Sequence, residues 1–491
     1  MNDFRSHLGP LALIAALLTV YRIWVIGHLG IDLYVDEAYY WGWSQHLDWG
    51  YYSKPPVIAA LIAASTALLG NGLIAIKLPS LLLYPATAFA LYALGCRLYS
   101  PRVGFWAGLA FLSMPLVAAL GLFVSTDAPL LLCWSLALLF LLRALELEGW
   151  ANWLACGAVI GLGLMSKYTM AAFLPSALLL ILLDPLQRRW LARPQPWVAL
   201  LLALVLLSPN LYWNWAHDFP TFRHTAEITR VGHGERGLHP GQLAEFIGAQ
   251  WLSFGPVLGV LLGWALFRSR SLARTPAHRI LLIFILPLLL LVSLQALTGR
   301  ANGNWAAPVF IGACLLVPAV FLEKRPRWVI GGIIFNLVAS MAAYHWPDLA
   351  RATGTALTAK NDPYKRARGW TNLADAVRPY LAEHPGTVLV AEDRELMAQL
   401  IYRLTPPEYA AWHPGGTPID HYELMARLDE RHRGRDILYV GRKAEIPDIA
   451  AGFASAEPLG KVVVPIHRDF RREVHVFLLK DFRGYPASAG R

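Results

Sequence analysis

Asp36 and Glu37 form an acidic pair just after an apolar run at 10–29. A carboxylate so placed suits a general base that draws a proton from a hydroxyl, or a group that holds a polar substrate. The alternative is an acid at a helix N-terminus, stabilised by the macrodipole. Lys54, directly before Pro55-Pro56, suits neutralising a phosphate that departs as an anion, or contacting lipid headgroups. Arg22 lies inside an apolar run, where a charge is costly and usually faces a cavity; the alternative is snorkelling to the interface. Asp127, in Thr126-Asp127-Ala128-Pro129, reads either as a reactive carboxylate or as part of a helix start. Lys167 and Arg300 stand in polar breaks between apolar runs, as anion partners or as snorkelling cations. Asp36, Asp127, Lys54, Lys167 and Arg300 fall at corresponding ends of different runs. Acids beside bases on one face suit a reaction that expels an anionic leaving group.

The elements that must position these residues are membrane helices. The chain is 56% hydrophobic and 15% charged, with mean hydropathy +0.43, whereas soluble domains carry about 25% charged residues. About 20 apolar residues cross a bilayer core. About eleven runs qualify: 10–29, 73–95, 103–121, 127–145, 151–166, 169–183, 197–213, 250–267, 279–297, 305–322 and 328–344. The first has no small-residue cleavage site and is followed by further spans, so it reads as a retained anchor.

The net charge of +10 raises the question of a nucleic-acid partner, and its distribution argues against one. Residues 345–491 carry 21 basic and 19 acidic residues. In the remainder, bases including Arg97, Arg102, Arg188, Arg189, Arg193, Arg268, Lys324 and Arg325 fall on one side of an eleven-span arrangement. Short Lys/Arg-rich loops stay cytoplasmic, so the N-terminus is expected inside and 345–491 outside. Cys96, Cys133, Cys156 and Cys314 lie in or beside apolar runs, where free Cys acts as a small hydrophobe. His217, His224, His233 and His239 match no compact zinc spacing, so no metal and no cofactor are expected.

Residues 30–72 are too polar at their start to span and are dense in Trp and Tyr, a composition suited to the headgroup layer. Two interfacial helices are predicted at about 33–69, with Lys54-Pro55-Pro56 between them. The segment 214–249, containing Arg223, His224, Arg230 and His233, reads as a mobile loop or substrate lid. Domain organisation is predicted as 1–344 in the membrane and 345–491 as a small α/β domain. In the latter, strands are expected at 388–391 and 437–440, a helix at 393–404, and a hairpin from 461–466 and 473–479.

Val35-Asp36-Glu37-Ala38-Tyr39-Tyr40 and Tyr52-Ser53-Lys54-Pro55-Pro56, with Thr126-Asp127, Ser166-Lys167, Ser208-Pro209-Asn210-Leu211-Tyr212-Trp213-Asn214, Phe222-Arg223-His224 and Gly299-Arg300-Ala301-Asn302, carry a resemblance. Over about residues 10–320 the chain resembles the GT-C membrane glycosyltransferases, in particular glycosyltransferase family 39 in its bacterial branch, related to the aminoarabinose transferases of lipid A. The resemblance implies a polytopic GT-C fold in a bacterial cytoplasmic membrane, with the C-terminal domain periplasmic. It implies inverting transfer of a sugar from a polyprenyl-phosphate donor to a lipid or glycan acceptor. It places catalytic roles on Asp36, with Glu37 beside it, and on Asp127, and puts Lys54 near the donor phosphate, with Lys167, Arg300 and Arg22 as further phosphate partners. Tyr39 follows Ala38 where aminoarabinose transferases more often carry Arg, which argues against the same sugar. A transporter of lipid-linked sugars is the alternative class, although transporters usually show internal repeats and midplane sites, and this sequence shows neither.

Overall fold

The computed structural model describes residues 7–229 and 237–486. It is predominantly helical, with one four-stranded sheet near the C-terminus, and it divides into two compact units. One comprises 1–27, 54–70 and 74–344; the other comprises 28–53, 71–73 and 345–491. The division differs from the expected single boundary after 344, because 28–53 packs with the C-terminal residues.

Six helices of the first unit are long and apolar enough to cross a membrane: Leu8–His28, Leu73–Leu98, Asp127–Glu146, Pro194–Ala216, Pro276–Thr298 and Pro326–Tyr344. A bent pair, Pro240–Phe254 and Pro256–Phe267, makes up to seven. Leu13, Leu17 and Val20 on the first helix, and Leu290, Leu291 and Leu294 on Pro276–Thr298, are exposed, as hydrocarbon-facing helix surfaces are. The interior is close-packed around Trp134, whose ring meets Phe173 edge-on at 5.3 Å. Helix Trp150–Leu164 packs between Asp127–Glu146 and Pro194–Ala216. A Cβ on Gly157 would stand 2.3 Å from the carbonyl oxygen of Ala199, so this helix pair approaches as small-residue membrane interfaces do.

Several expected runs are broken. The run 103–121 becomes Pro101–Ser113 and Pro115–Leu120, because Pro115 pushes Met114 out of the helical region to φ −55, ψ 134. The run 250–267 is not one straight helix: the chain turns by 116° at Gly255, which adopts φ +94 immediately before Pro256. The runs near 151–183 and 305–322 appear as shorter helices, Trp150–Leu164, Tyr168–Leu183 and Val309–Phe321.

In the second unit, β1 (Val388–Ala391), β2 (Ile437–Gly441), β3 (Phe453–His467) and β4 (Phe470–Phe482) form a sheet of order β1-β2-β4-β3. β1 and β2 run parallel, with Val388 opposite Ile437, and the other pairs are antiparallel. The β3–β4 hairpin is longer than its sequence pattern indicates. Residues 454–458 are exposed throughout, so the alternation that marks a half-buried strand is absent there. Helix Arg394–Leu404 packs on helix Val35–Gln45. Tyr39, Trp43 and Tyr51 are buried, with Trp43 stacked on Tyr51 at 4.5 Å. The aromatic density of 30–52 therefore builds protein core in this unit, while Trp49 stays exposed.

Candidate active site

Asp127 is the first residue of helix Asp127–Glu146, and its carboxylate is almost fully buried. It does not cap that helix. One oxygen accepts from Lys167 Nζ at 2.7 Å, and the other from Asn304 Nδ2 at 2.8 Å. The Lys167 side chain is 13% exposed and the Asp127 side chain 2%. Taking such charges out of water is costly, and removing one partner of a buried pair costs about 3–5 kcal/mol. The pair is sustained by elements from three parts of the chain. Lys167 follows helix Trp150–Leu164, its N–H bonded to the Gly163 carbonyl at 2.9 Å. Asn304 lies in a 3-10 turn, Gly303–Ala306, anchored where Gln250 donates to the Gly303 carbonyl at 2.7 Å.

The neighbouring motifs converge on the same turn. The Val57 N–H, three residues after Lys54, donates to Met165, two residues before Lys167, at 3.1 Å. Tyr168 donates its hydroxyl to Asn210 and accepts from Asn214 Nδ2 at 3.2 Å, and its ring stacks on Phe222 at 5.1 Å. The expected loop at 214–249 is helical over Pro220–Thr229 and from Pro240. Thr229 accepts from the Arg300 N–H at 3.2 Å, and the His239 N–H donates to Leu297 at 2.7 Å. Arg223 is exposed and His224 half-buried; Arg230 and His233 lie outside the described residues. The Arg300 side chain is exposed.

Arg22 is buried, and its guanidinium donates to the Leu112 carbonyl at 3.1 Å. It thus ties the first helix to the end of Pro101–Ser113, a structural engagement that the alternative of snorkelling did not anticipate. Two residues escaped the sequence reading. Asn304 carried no charge to draw notice in its polar turn. Lys77, fully buried and donating to Leu122 at 2.9 Å, was legible as a lone cation inside the apolar run 73–95.

In the second unit, Asp36 and Glu37 part ways. Glu37 is buried, and its carboxylate accepts from the Tyr34 N–H at 2.8 Å, reaching back to cap the start of Val35–Gln45. In this structure Glu37 therefore serves its own helix start. Asp36 is 43% exposed and pairs with Arg394 at 3.2 Å. The Arg394 guanidinium also lies 4.9 Å over the Tyr39 ring. Burial opposes the Arg394 charge, but Asp36, Tyr39 and Asp420 around it outweigh burial and its pKa rises. Burial, with Asp420 nearby, pushes the Tyr39 phenol well above its ordinary value, and the phenol accepts from the His421 N–H. Among the described residues no three His, Cys, Asp or Glu side chains converge as a metal site would require.

Residues 53–213 match the family of dolichyl-phosphate-mannose-protein mannosyltransferases. The chain is 32% identical over 413 residues to lipid A galacturonosyltransferase RgtD of Rhizobium johnstonii, covering 82% of this chain and 85% of that protein. It is 26% identical to lipopolysaccharide core galacturonosyltransferase RgtB of the same organism, covering 71% and 74%. In fold it matches ArnT from Cupriavidus metallidurans bound to undecaprenyl phosphate, with a TM-score of 0.66 at 15% identity over 96% of this chain and 97% of that one. A buried acid–base pair at the ends of apolar helices, a GT-C fold and this extent of sequence identity place the chain in family 39 of the GT-C membrane glycosyltransferases.

Proposed function

We propose that the protein transfers galacturonic acid from a polyprenyl-phosphate carrier to lipid A or the lipopolysaccharide core, with inversion at the anomeric carbon. The observation that carries this reading is the buried Asp127–Lys167–Asn304 cluster at the ends of apolar helices, in a chain that aligns along most of its length with galacturonosyltransferases. The aminoarabinose transferases it matches are covered over only 46% and 53% of their length, and Tyr39 departs from their motif.

The polyprenyl chain keeps the donor in the bilayer, so its phosphate meets the enzyme at headgroup depth. The bond from the anomeric carbon to the phosphate oxygen breaks, and its electron pair leaves with the prenyl phosphate. Fixed cations stabilise that developing charge, each contributing several kcal/mol in a water-poor site. Lys54, Lys167 and Arg300 fill this role in our reading. The acceptor oxygen forms the new bond on the opposite face. A hydroxyl acceptor gives its proton to Asp36, whereas a phosphate acceptor is already ionised and Asp36 orients it. We propose further that eleven segments cross the membrane, the short and bent helices completing the six long ones, and that no bound divalent metal is required.

Purified protein in nanodiscs, incubated with polyprenyl-phosphate galacturonic acid or aminoarabinose and with lipid A, tests the reading by mass spectrometry of the products. Galacturonosylated lipid A, formed equally in the presence of a chelator, is the expected result. Product only from the aminoarabinose donor overturns the sugar assignment, and metal-restorable loss of activity in chelator overturns the metal-free one.

A further inference from the structure

The second unit holds a cleft of about 510 Å³ between the turn at 365–367, the helices Trp370–Glu383 and Arg394–Leu404, and the start of β4. That volume lies in the range of small-molecule sites, about 300–1,000 Å³. Its lining carries five basic residues against two acidic ones, with Trp370 and Phe470 among them.

The internal pairings leave this excess unbalanced. Both guanidinium arms of Arg442 are committed to Asp393 and Glu395, which uses one of the two lining acids. Glu473, the other, is shared between Lys461 at 2.6 Å and Arg471 at 3.1 Å. Arg472 has no carboxylate partner among the described residues. Its Nε donates to the Arg368 carbonyl at 2.7 Å, and its Nη2 donates to Lys365 and Arg366 carbonyls. Its Nη1 donates to none of the described residues. The guanidinium lies 3.4 Å from the centroid of the Trp370 ring, so it is held rigidly in place. Burial, with Arg442 nearby, draws its pKa down to about 10 against the opposing pull of Glu395 and Asp32. A cation with no carboxylate in ion-pair contact gains from an incoming anion, and the uncommitted Nη1 can donate to a carboxylate or phosphate oxygen. The partly exposed Phe470 ring beside it suits the apolar face of a sugar.

We propose that this cleft binds an anionic saccharide through its phosphate or carboxylate, and that the ligand is the charged head group of the acceptor glycolipid. The second half of the proposal rests on the transferase reading above; the first does not.

Two measurements on the full chain in nanodiscs separate them. Titration calorimetry with glucose 1-phosphate, glucuronate, inorganic phosphate and uncharged glucose reads the cleft without any transfer reaction. The two anionic sugars are expected to bind, glucose not, and Arg471→Ala with Arg366→Ala is expected to weaken binding at least tenfold. Arg472→Lys, which keeps the charge but loses the Nη1 donor and the carbonyl contacts, is expected to weaken it as well and to lower the thermal midpoint. Steady-state kinetics with phosphorylated and dephosphorylated acceptor lipid then reads the source. The Arg366→Ala, Arg471→Ala enzyme is expected to show an acceptor KM raised about tenfold with donor KM and kcat unchanged, and only for phosphorylated acceptor. No binding of either anionic sugar overturns the site. Inorganic phosphate binding as tightly as the sugar phosphate overturns the saccharide assignment. Sugar binding with unchanged acceptor KM overturns the head-group assignment alone. An enzyme without transferase activity on any donor, yet binding anionic sugars, sinks the proposed function and leaves the site standing.

Discussion

At the scale of the residue, the sequence offered seven charged candidates for catalysis and phosphate binding, and the fold joins two of them directly. Asp127 and Lys167 neutralise each other in a buried setting, with Asn304 completing the carboxylate's hydrogen bonds. Lys167→Ala leaves Asp127 a buried charge without its cation, so the expected outcome is loss of both stability, by about 3–5 kcal/mol, and turnover. Replacing both residues, by Asp127→Asn with Lys167→Met, is expected to recover thermal stability but not transfer. Recovery of transfer in the double variant would show that the pair only holds the fold. Asp36 stands in a different environment, half-exposed and beside Arg394. With a hydroxyl acceptor Asp36→Asn is expected to lower kcat by about 10²-fold or more. With a phosphate acceptor the defect is expected mainly in acceptor KM. Normal kinetics on both acceptors would remove Asp36 from the mechanism.

At the scale of the element, the bend between Pro240–Phe254 and Pro256–Phe267 is set by one residue. Gly255 occupies φ +94, and a Cβ there would lie 1.9 Å from Asn336 Oδ1. Asn336 cannot easily withdraw, because its Nδ2 bonds the Phe254 carbonyl at 3.0 Å, satisfying an acceptor that the broken helix leaves exposed. Pro256 then starts the next helix from its first position. Gly255→Ala combines backbone strain with a clash, and its thermal midpoint in detergent is expected to fall well below that of Gly263→Ala. Gly263 lies in the same helix pair with nothing within 4 Å of its Cβ position. Equal midpoints for the two variants would show that the bend tolerates a side chain.

At the scale of the whole molecule, the asymmetry of Lys and Arg between apolar runs carries an orientation. Reporter fusions placed after Lys324 and after Arg483 are expected to report the cytoplasm and the outside respectively. A cytoplasmic signal from the second fusion would invert the model. The composition of the second unit also bears on this scale, since residues 28–53, encoded between two apolar runs, share its core. Asp32 accepts from the N–H groups of Trp370 and Thr371 and from Arg403 at 2.8 Å, so the C-terminal residues and the segment after the first helix form one compact body.

The sequence by itself determined that this is a polytopic membrane protein, because hydropathy over windows of about 20 residues is a local property that needs no tertiary contact to read. It likewise marked strands at 388–391 and 437–440, each an unbroken apolar run, and the helix 393–404 between them, while their parallel pairing came from the fold. Its motifs pointed to Asp36, Lys54, Asp127 and Lys167 because charge in an apolar setting is conspicuous. Only the tertiary structure decided what each of two adjacent acids meets: Glu37 caps its own helix, and Asp36 pairs with Arg394 from far along the chain. It alone placed Asn304 on Asp127, 177 positions away, since an uncharged amide in a polar turn carries no local mark of its partner. It also decided that most of the Trp and Tyr of 30–52, Trp49 excepted, are core, because a ring's preference for an interface or an interior depends on what packs against it. Here that is helix Arg394–Leu404 and its neighbours, which lie hundreds of residues further along the chain.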